Sequence, residues 1–170
     1  SYSDKTKMVA HSDKIDPDIP WKLNGNVQNN TVKLPFDKNG TTDTQYLVFS
    51  NLGYYNGKKI AVKVDFTPQQ LVNKEVDNIF VGVGPTNIFN LIIDVGIKSV
   101  DVKYEFLEQT TEGKVGDDWT KWKPINLSGY WTFSSLLNTK EISIPNGLIE
   151  NVYSFNRDYK WGTIDEPILL

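Results

Sequence analysis

The residues best suited to binding chemistry are two tryptophans three positions apart, Trp119 and Trp122, in the charged segment 117–124. An exposed indole buries a large area on contact and loses little side-chain entropy, so it suits stacking on a sugar or a protein hot spot. In an extended segment the two rings lie on opposite faces, so one shared platform would need a turn. The alternative is that these tryptophans cap the end of the hydrophobic core.

Two adjacent tyrosines form a second candidate contact. Tyr54 and Tyr55 precede Asn56-Gly57, the dipeptide that best tolerates the positive φ angles of a type I′ hairpin turn. At a hairpin tip the phenol rings would be available to a ligand. The alternative is structural, because paired tyrosines stabilise a tight hairpin without any ligand.

Oxygen-bearing side chains surround a glycine turn in the segment 37–43. Asp37, Asn39 and Asp43 are candidate calcium ligands there. The further acids and the terminal glutamate of an EF-hand loop are missing, so a plain turn is the preferred interpretation. We expect no cofactor, with calcium as the alternative.

The sequence offers little material for catalysis. It has no cysteine, which excludes disulfides and thiolate chemistry, and a single histidine, His11, in a polar stretch. It has no G-x-S-x-G elbow and no phosphate-binding loop with a following Lys-Ser or Lys-Thr. Lys63 and Asp65 share a strand face and could take part in a Lys–Asn isopeptide bond, but we expect no cross-link. We therefore predict that the chain is not an enzyme.

Composition indicates an ordinary globular domain. The chain has 170 residues, of which 39% are hydrophobic and 23% charged, with a net charge of −3. The acidic excess argues against a nucleic-acid partner, and the absence of an apolar run of about 18 residues argues against membrane insertion. We expect an extended entry segment at 1–30, one domain at 31–170, and a monomeric module of a larger chain.

Hydrophobic alternation with period two predicts strands throughout the domain. Residues 60–66 and 100–106 alternate apolar and polar side chains, as a strand with one buried face does. A two-residue turn at Asn56-Gly57 would pair Phe49 with Val64 and Leu47 with Phe66. Four Asn-Gly pairs indicate antiparallel connections: Asn24-Gly25, Asn39-Gly40, Asn56-Gly57 and Asn146-Gly147.

The predicted fold is an all-β antiparallel sandwich, jelly-roll or Ig-like, with about nine short strands. A short helix or turn is expected at most in the segment 67–76, where Pro68 could occupy the first helical position. The segments 88–95 and 130–133 are predicted strands. The predicted core comprises Phe49, Val62, Val64, Phe66, Val102, Tyr104, Phe106, Trp131 and Phe133.

Three segments together resemble a known module. They are YLVFSNLGYYNGKKIAVKV at 46–64, VDVKYEFLE at 100–108 and GYWTFSSL at 129–136. Their order is similar to that in a β-sandwich module of Gram-positive cell-surface adhesins, over roughly residues 45–145. The resemblance implies extracellular display on the cell wall, adhesion to a host or microbial glycan or protein, and no catalysis. The chain departs from the usual F-x-D-I-D after the third segment, where it has SSLLN at 134–138.

Three functions remain open from the sequence. The first is a non-catalytic adhesin module that binds through end loops or a sheet face. The second is a carbohydrate-binding module of a secreted enzyme, which would use Trp119, Trp122 or Tyr54 as stacking surfaces. The third is a structural spacer in a surface stalk.

Overall fold

The structure is a computed structural model in which the described residues are all-β, built mostly from antiparallel strands. It describes residues 6–11, 31–34, 44–71, 79–84, 88–93, 97–111, 117–131, 142–145, 148, 162–163 and 167–169. The chain divides into two compact units, Ser1–Thr132 and Phe133–Leu170. The candidate calcium residues Asp37, Asn39 and Asp43 lie outside the described residues.

The first unit holds eight of the described strands and one 3-10 helix. In chain order the strands are β1 (Lys7–His11), β2 (Thr31–Leu34), β3 (Gln45–Tyr55), β4 (Lys58–Leu71), β5 (Ile79–Val83), β6 (Leu91–Ile93), β7 (Ile97–Glu108) and β8 (Lys123–Pro124). The 3-10 helix spans Asp117–Lys121, between β7 and β8. The strands form a five-stranded sheet in the order β1-β3-β4-β7-β8 and a three-stranded sheet in the order β2-β5-β6.

The second unit contributes a separate three-stranded sheet. Its strands are β9 (Ser143–Pro145), β10 (Gly162–Thr163) and β11 (Pro167–Leu169), in the order β10-β11-β9. Both pairings are antiparallel, and Ile168 lies opposite Ile144. Among the described residues of this unit, Leu148 is an exposed large hydrophobic side chain.

Strands β3, β4 and β7 form the centre of the first unit, and side chains cover both faces of their sheet. On one face, alternate apolar residues of β3 and β4 form a fully buried cluster with residues of β5. The cluster includes Leu47, Phe49, Val62, Val64, Phe66, Val81 and Val83. On the other face, Val48, Ala61 and Leu107 are buried under Trp122. Both faces of β4 therefore contact buried clusters, whereas the alternating pattern predicted one buried face and one solvent-exposed face.

The predicted core agrees with the structure at its centre and fails at one residue. Phe49, Val62, Val64 and Phe66 are fully buried, as predicted. The β7 residues Val102, Tyr104 and Phe106 are half-buried and pack against the same cluster. Trp131, predicted to be core, is 42% exposed and lies outside any strand. Phe133 lies outside the described residues.

The β3–β4 hairpin has the predicted turn and a different register. Asn56 and Gly57 both have positive φ, 49° and 75°, as a type I′ turn requires. Phe49 pairs with Val62 and Leu47 with Val64, two residues away from the predicted partners on β4. A bulge in β3 causes the difference. Because the offset is even, every side chain stays on its predicted face of the sheet.

Other local predictions are corrected by the strand boundaries. The possible helix at 67–76 is wrong for its first five residues, since β4 continues through Leu71 and pairs with β7 as far as Ile97. Residues 88–90 form a turn and bend rather than the start of a strand, and β6 begins at Leu91. Residues 130 and 131 are not in a strand. The hydrophobic pattern predicts these strands too long. The pairing of each strand with its neighbours, and not the propensity of its residues, decides where the strand ends.

We expect Phe66→Ala to destabilise the fold by about 3–5 kcal/mol, because it removes a fully buried ring and leaves a cavity. Urea unfolding followed by circular dichroism measures the loss. The exposed Lys98→Ala is the control and should change the free energy of unfolding by less than about 0.5 kcal/mol. A loss below about 1 kcal/mol for Phe66→Ala would show that this ring is not a core residue.

Candidate functional site

A bulge shapes the tip of the β3–β4 hairpin. Between the Phe49–Val62 and Gly53–Ile60 pairs, three residues of β3 lie opposite one residue of β4. Asn51, in the middle, has a φ of 56°, in the left-handed region that asparagine tolerates better than most residues. Gly53 has a φ of 143°, where a side chain would be strained. Bulges of this kind bend a strand and re-aim its side chains.

A buried glutamine holds the bulge in place. The Asn51 backbone N–H donates to Gln109 Oε1, and Gln109 Nε2 donates to Asn51 Oδ1, both at 2.8 Å. Gln109 Nε2 also donates to the Thr111 carbonyl at 3.0 Å. The Thr6 hydroxyl donates to the Asn51 carbonyl at 3.1 Å. These bonds replace ladder bonds that a bulged residue loses, and they supply partners for the Asn51 N–H and carbonyl and for the Gln109 side chain. We call this arrangement the Gln109 clamp. Among the described residues of the bulge, the buried Ser50 hydroxyl has no hydrogen-bond partner.

Beyond the bulge, the hairpin tip borders a groove of about 340 Å³. We call it the tyrosine groove, because three of its ten lining residues are tyrosines. The lining comprises Leu52, Gly53, Tyr54, Tyr55, Ile60, Ile88, Phe89, Phe106, Leu127 and Tyr130. Tyr54 is 73% exposed and Tyr130 is 91% exposed, so both rings keep most of their surface available for contact. None of these ten residues is acidic or basic.

Packed aromatic rings support the groove. Phe89 stacks on Trp131 with ring centroids 5.1 Å apart and an interplanar angle of 20°. Phe89 also contacts Tyr104 at 4.9 Å, and Phe106 contacts Trp131 at 6.0 Å. The Tyr104 hydroxyl donates to the Ile88 carbonyl at 2.8 Å, which ties the turn at 88–90 to β7. Burial raises the pKa of the Tyr104 phenol, so this donor stays protonated at physiological pH.

The segment that follows β8 in the chain contacts Tyr55. The Ser128 backbone N–H donates to the Tyr55 hydroxyl oxygen at 3.4 Å. A phenol that accepts one hydrogen bond still has its own O–H to donate. This contact joins the hairpin tip to the loop that carries Leu127 and Tyr130, so both sides of the groove are connected.

The two tryptophans lie on the opposite face of the sheet from the main core. Trp119 lies in the 3-10 helix, and Trp122 follows its last residue. The Trp122 N–H donates to the Trp119 carbonyl at 3.1 Å, which continues the three-residue turn and brings both indoles to the same side. Trp122 is only 5% exposed, covers Val48, Ala61 and Leu107, and donates from Nε1 to the Thr111 hydroxyl at 3.0 Å. Trp119 is half-buried and packs edge-on against Tyr46, with centroids 5.2 Å apart. Trp122 therefore offers little surface to a ligand.

A lysine packs over the half-buried aromatic pair. The Lys63 ammonium lies 3.3 Å from Asp65 Oδ1, 4.7 Å from the Tyr46 ring centroid and 5.7 Å from that of Trp119. These distances suit an ion pair combined with cation–π contacts. Burial and the Asp65 charge raise the pKa of Tyr46, so its hydroxyl is neutral beside the carboxylate.

The structure therefore separates the four aromatic candidates into two places. Tyr54 and Tyr55 line the tyrosine groove, whereas Trp119 and Trp122 pack on the sheet. Ligand binding by all four residues stays a prediction. Within the described part of the chain, no group of three or more histidine, cysteine or acidic side chains is arranged to hold a metal ion.

Sequence reasoning missed the Gln109 clamp and the role of Tyr130. Asn51 and Gly53, two residues apart in a strand, are the signal for the bulge, because both residue types favour positive φ. The sequence pattern predicts a strand at 130–133, whereas Tyr130 follows a bend at Gly129 and is not in a strand. Nothing in the sequence near Gln109 distinguishes it from an exposed glutamine.

Comparison with known proteins assigns neither a family nor a function to these residues. No family model matches the chain, and neither the curated proteins nor the solved structures contain a match. The stretches of chain that the structure describes hold no helix of the length and apolarity that a membrane crossing requires.

Trp122→Ala should cost about 3–5 kcal/mol of stability, because it opens a cavity over Val48 and Leu107. Trp119→Ala should cost about 1–2 kcal/mol, since it loses a half-buried ring and one edge-on aromatic contact. Urea unfolding followed by far-ultraviolet circular dichroism measures both. A Trp122→Ala variant as stable as the parent would contradict the packing role of this indole.

Gln109→Leu should destabilise the chain by about 1–3 kcal/mol, because it removes the buried side-chain acceptor of the half-buried Asn51 N–H while nearly keeping the side-chain volume. Gln69→Leu is the matched control. Gln69 donates to Asp101 Oδ2 at the same 2.8 Å distance but is exposed, so its loss should cost less than about 0.5 kcal/mol. If both variants lose the same free energy of unfolding in chemical denaturation, the buried Gln109 contributes no more to stability than an exposed glutamine.

Proposed function

We propose that this chain is a non-catalytic binding module of a cell-surface protein, and that it holds a glycan or protein ligand in the tyrosine groove. The observation that carries the proposal is the exposure of Tyr54 and Tyr130 along one groove on a packed sheet. Aromatic side chains that stay exposed on a rigid support gain large contact area when a partner binds, at little cost in conformational entropy.

The chemistry of the groove favours binding over catalysis. Among the described residues that line it there is no carboxylate, imidazole or amine. General acid–base catalysis near neutral pH usually employs a carboxylate, an imidazole or an amine with a tuned pKa. The groove therefore suits recognition of a ligand that leaves unchanged.

The sheet arrangement supports a β-sandwich as the scaffold. Val81 and Val83 of β5 share one buried cluster with Phe49 and Phe66 of the five-stranded sheet. Two sheets that bury facing side chains in one core are the defining feature of sandwich folds. The proposal adopts this fold for the first unit, with the tyrosine groove beside the β3–β4 turn at one end of the hairpin.

Display outside the cell is part of the proposal. It is supported by the absence of cysteine from the chain and by the resemblance of the segments 46–64, 100–108 and 129–136 to an adhesin module. A carbohydrate-binding module attached to a secreted enzyme would use the same groove. It differs from an adhesin in the rest of the polypeptide rather than in this chain's residues.

The test is capture of the 170-residue chain on two panels, one of glycans and one of host matrix proteins. We expect the double variant Tyr54→Ala/Tyr130→Ala to weaken capture tenfold or more, since both exposed rings are lost. Far-ultraviolet circular dichroism should be unchanged. Ile93→Ala removes an exposed apolar side chain from β6, outside the groove lining, and is the control that should bind like the parent.

Two results would contradict the proposed function. Capture by the double variant at parental strength would place any binding surface outside the tyrosine groove. Absence of capture on both panels would favour the structural spacer instead.

A further inference from the structure

We infer that the occupant of the tyrosine groove is a short stretch of neutral glycan, with Tyr54 and Tyr130 stacking on the C–H faces of its pyranose rings. The inference rests on the proposed function and names the ligand class of that same site. It follows from the charge of the lining, the exposure of the rings and the size of the groove.

The lining favours an uncharged ligand. Its ten described side chains are aliphatic, aromatic or glycine, and the three phenol hydroxyls are their polar groups. Lys58, which pairs with Tyr55 across the hairpin, has its ammonium 3.1 Å from the Glu108 carboxylate. A sulfated or carboxylated glycan would need cationic partners to replace its lost hydration. Neutral pyranoses present apolar C–H faces and hydroxyl edges, which match aromatic faces and phenol hydroxyls.

The openness of the groove favours a sugar chain over a protein anchor. Protein hot spots cluster in fully desolvated pockets, where neighbouring contacts exclude water. In the free chain Tyr54 and Tyr130 are 73% and 91% exposed, so few neighbouring side chains stand beside them to exclude water once a protein partner binds. Stacking of a flat ring on another flat face does not need an enclosing pocket, because the contact area lies on one side of each ring.

The hydrogen-bonding groups of the groove also suit a polyhydroxylated ligand. The Tyr55 oxygen accepts the Ser128 N–H at 3.4 Å, and the Tyr55 O–H can still donate to a sugar hydroxyl. The volume of about 340 Å³ lies near the lower end of the range for ligand sites. It therefore suits a short segment of a chain rather than a large branched glycan.

The test is a titration of the isotope-labelled 170-residue chain, followed by the shifts of its backbone amides in two-dimensional NMR spectra. The neutral probes are the hexasaccharides of β-1,4-glucose, β-1,3-glucose, β-1,4-N-acetylglucosamine and β-1,4-mannose. The acidic probes are a hyaluronan hexasaccharide and a heparin hexasaccharide. We expect at least one neutral probe to shift the amides of residues 52–55 and 127–130, and the acidic probes to bind at least tenfold more weakly.

Variants separate stacking from other contacts. Tyr54→Ala and Tyr130→Ala should each weaken the binding of that neutral probe about tenfold. Tyr54→Phe keeps the ring and should bind within about twofold of the parent. Ile93→Ala, outside the groove lining, should also bind like the parent. A Tyr54→Phe loss as large as that of Tyr54→Ala would contradict stacking as the basis of recognition.

The remaining outcomes distinguish this inference from the proposed function. If no neutral probe binds, or an acidic probe binds more tightly, the neutral-glycan inference is wrong. If a matrix protein is nevertheless captured through Tyr54 and Tyr130, the proposed function stands and the ligand is a protein. If neither a glycan nor a protein depends on these two tyrosines, both proposals are wrong.

Discussion

The position of the hairpin tip depends on one buried polar contact, the pairing of Gln109 with Asn51. Three residues of β3 lie opposite one residue of β4 at the bulge, and Gln109 supplies the hydrogen bonds that the ladder cannot. The clamp thereby sets the orientation of the residues between the bulge and the turn, including Tyr54 and Tyr55, relative to the rest of the sheet. An unsatisfied amide at this depth would cost more than the bond itself contributes, so the clamp strongly favours one geometry.

The sheet that carries the bulge is rigid because both of its faces are covered. Phe49 and Phe66 pack with β5 on one side, and Trp122 packs over Val48 and Leu107 on the other. Tyr54 is exposed on this support, so it can contact a partner without prior rearrangement of the fold. The buried Trp122 therefore stabilises the sheet, whereas the exposed Tyr54 remains available to a ligand.

Sequence reasoning succeeded where the signal was local and periodic. The alternation in β4 and the Asn56-Gly57 turn placed the hairpin and its faces correctly, because strand period and turn type both act over a few residues. The local signal for the bulge, Asn51 followed by Gly53, was missed, and the Gln109 clamp could not be predicted because Gln109 is 58 residues away from Asn51 in the chain. The sequence left open that a tryptophan of this segment covers the core, and Trp122 is buried in that way. The face of the sheet that it covers could not be predicted, because it is set by tertiary contacts with residues far away in the chain.

The central claim is that, among the candidate aromatic residues that the structure describes, Tyr54 and Tyr130 of the tyrosine groove are available to a partner and Trp122 is not. Photochemically induced nuclear polarisation with a flavin dye tests it directly, because the dye enhances NMR signals only from aromatic side chains that it can touch. The account predicts enhanced signals from Tyr54 and Tyr130, each assigned by its loss in the Tyr→Phe variant, and none from Trp122. Strong enhancement of Trp122 together with silent Tyr54 and Tyr130 would contradict it.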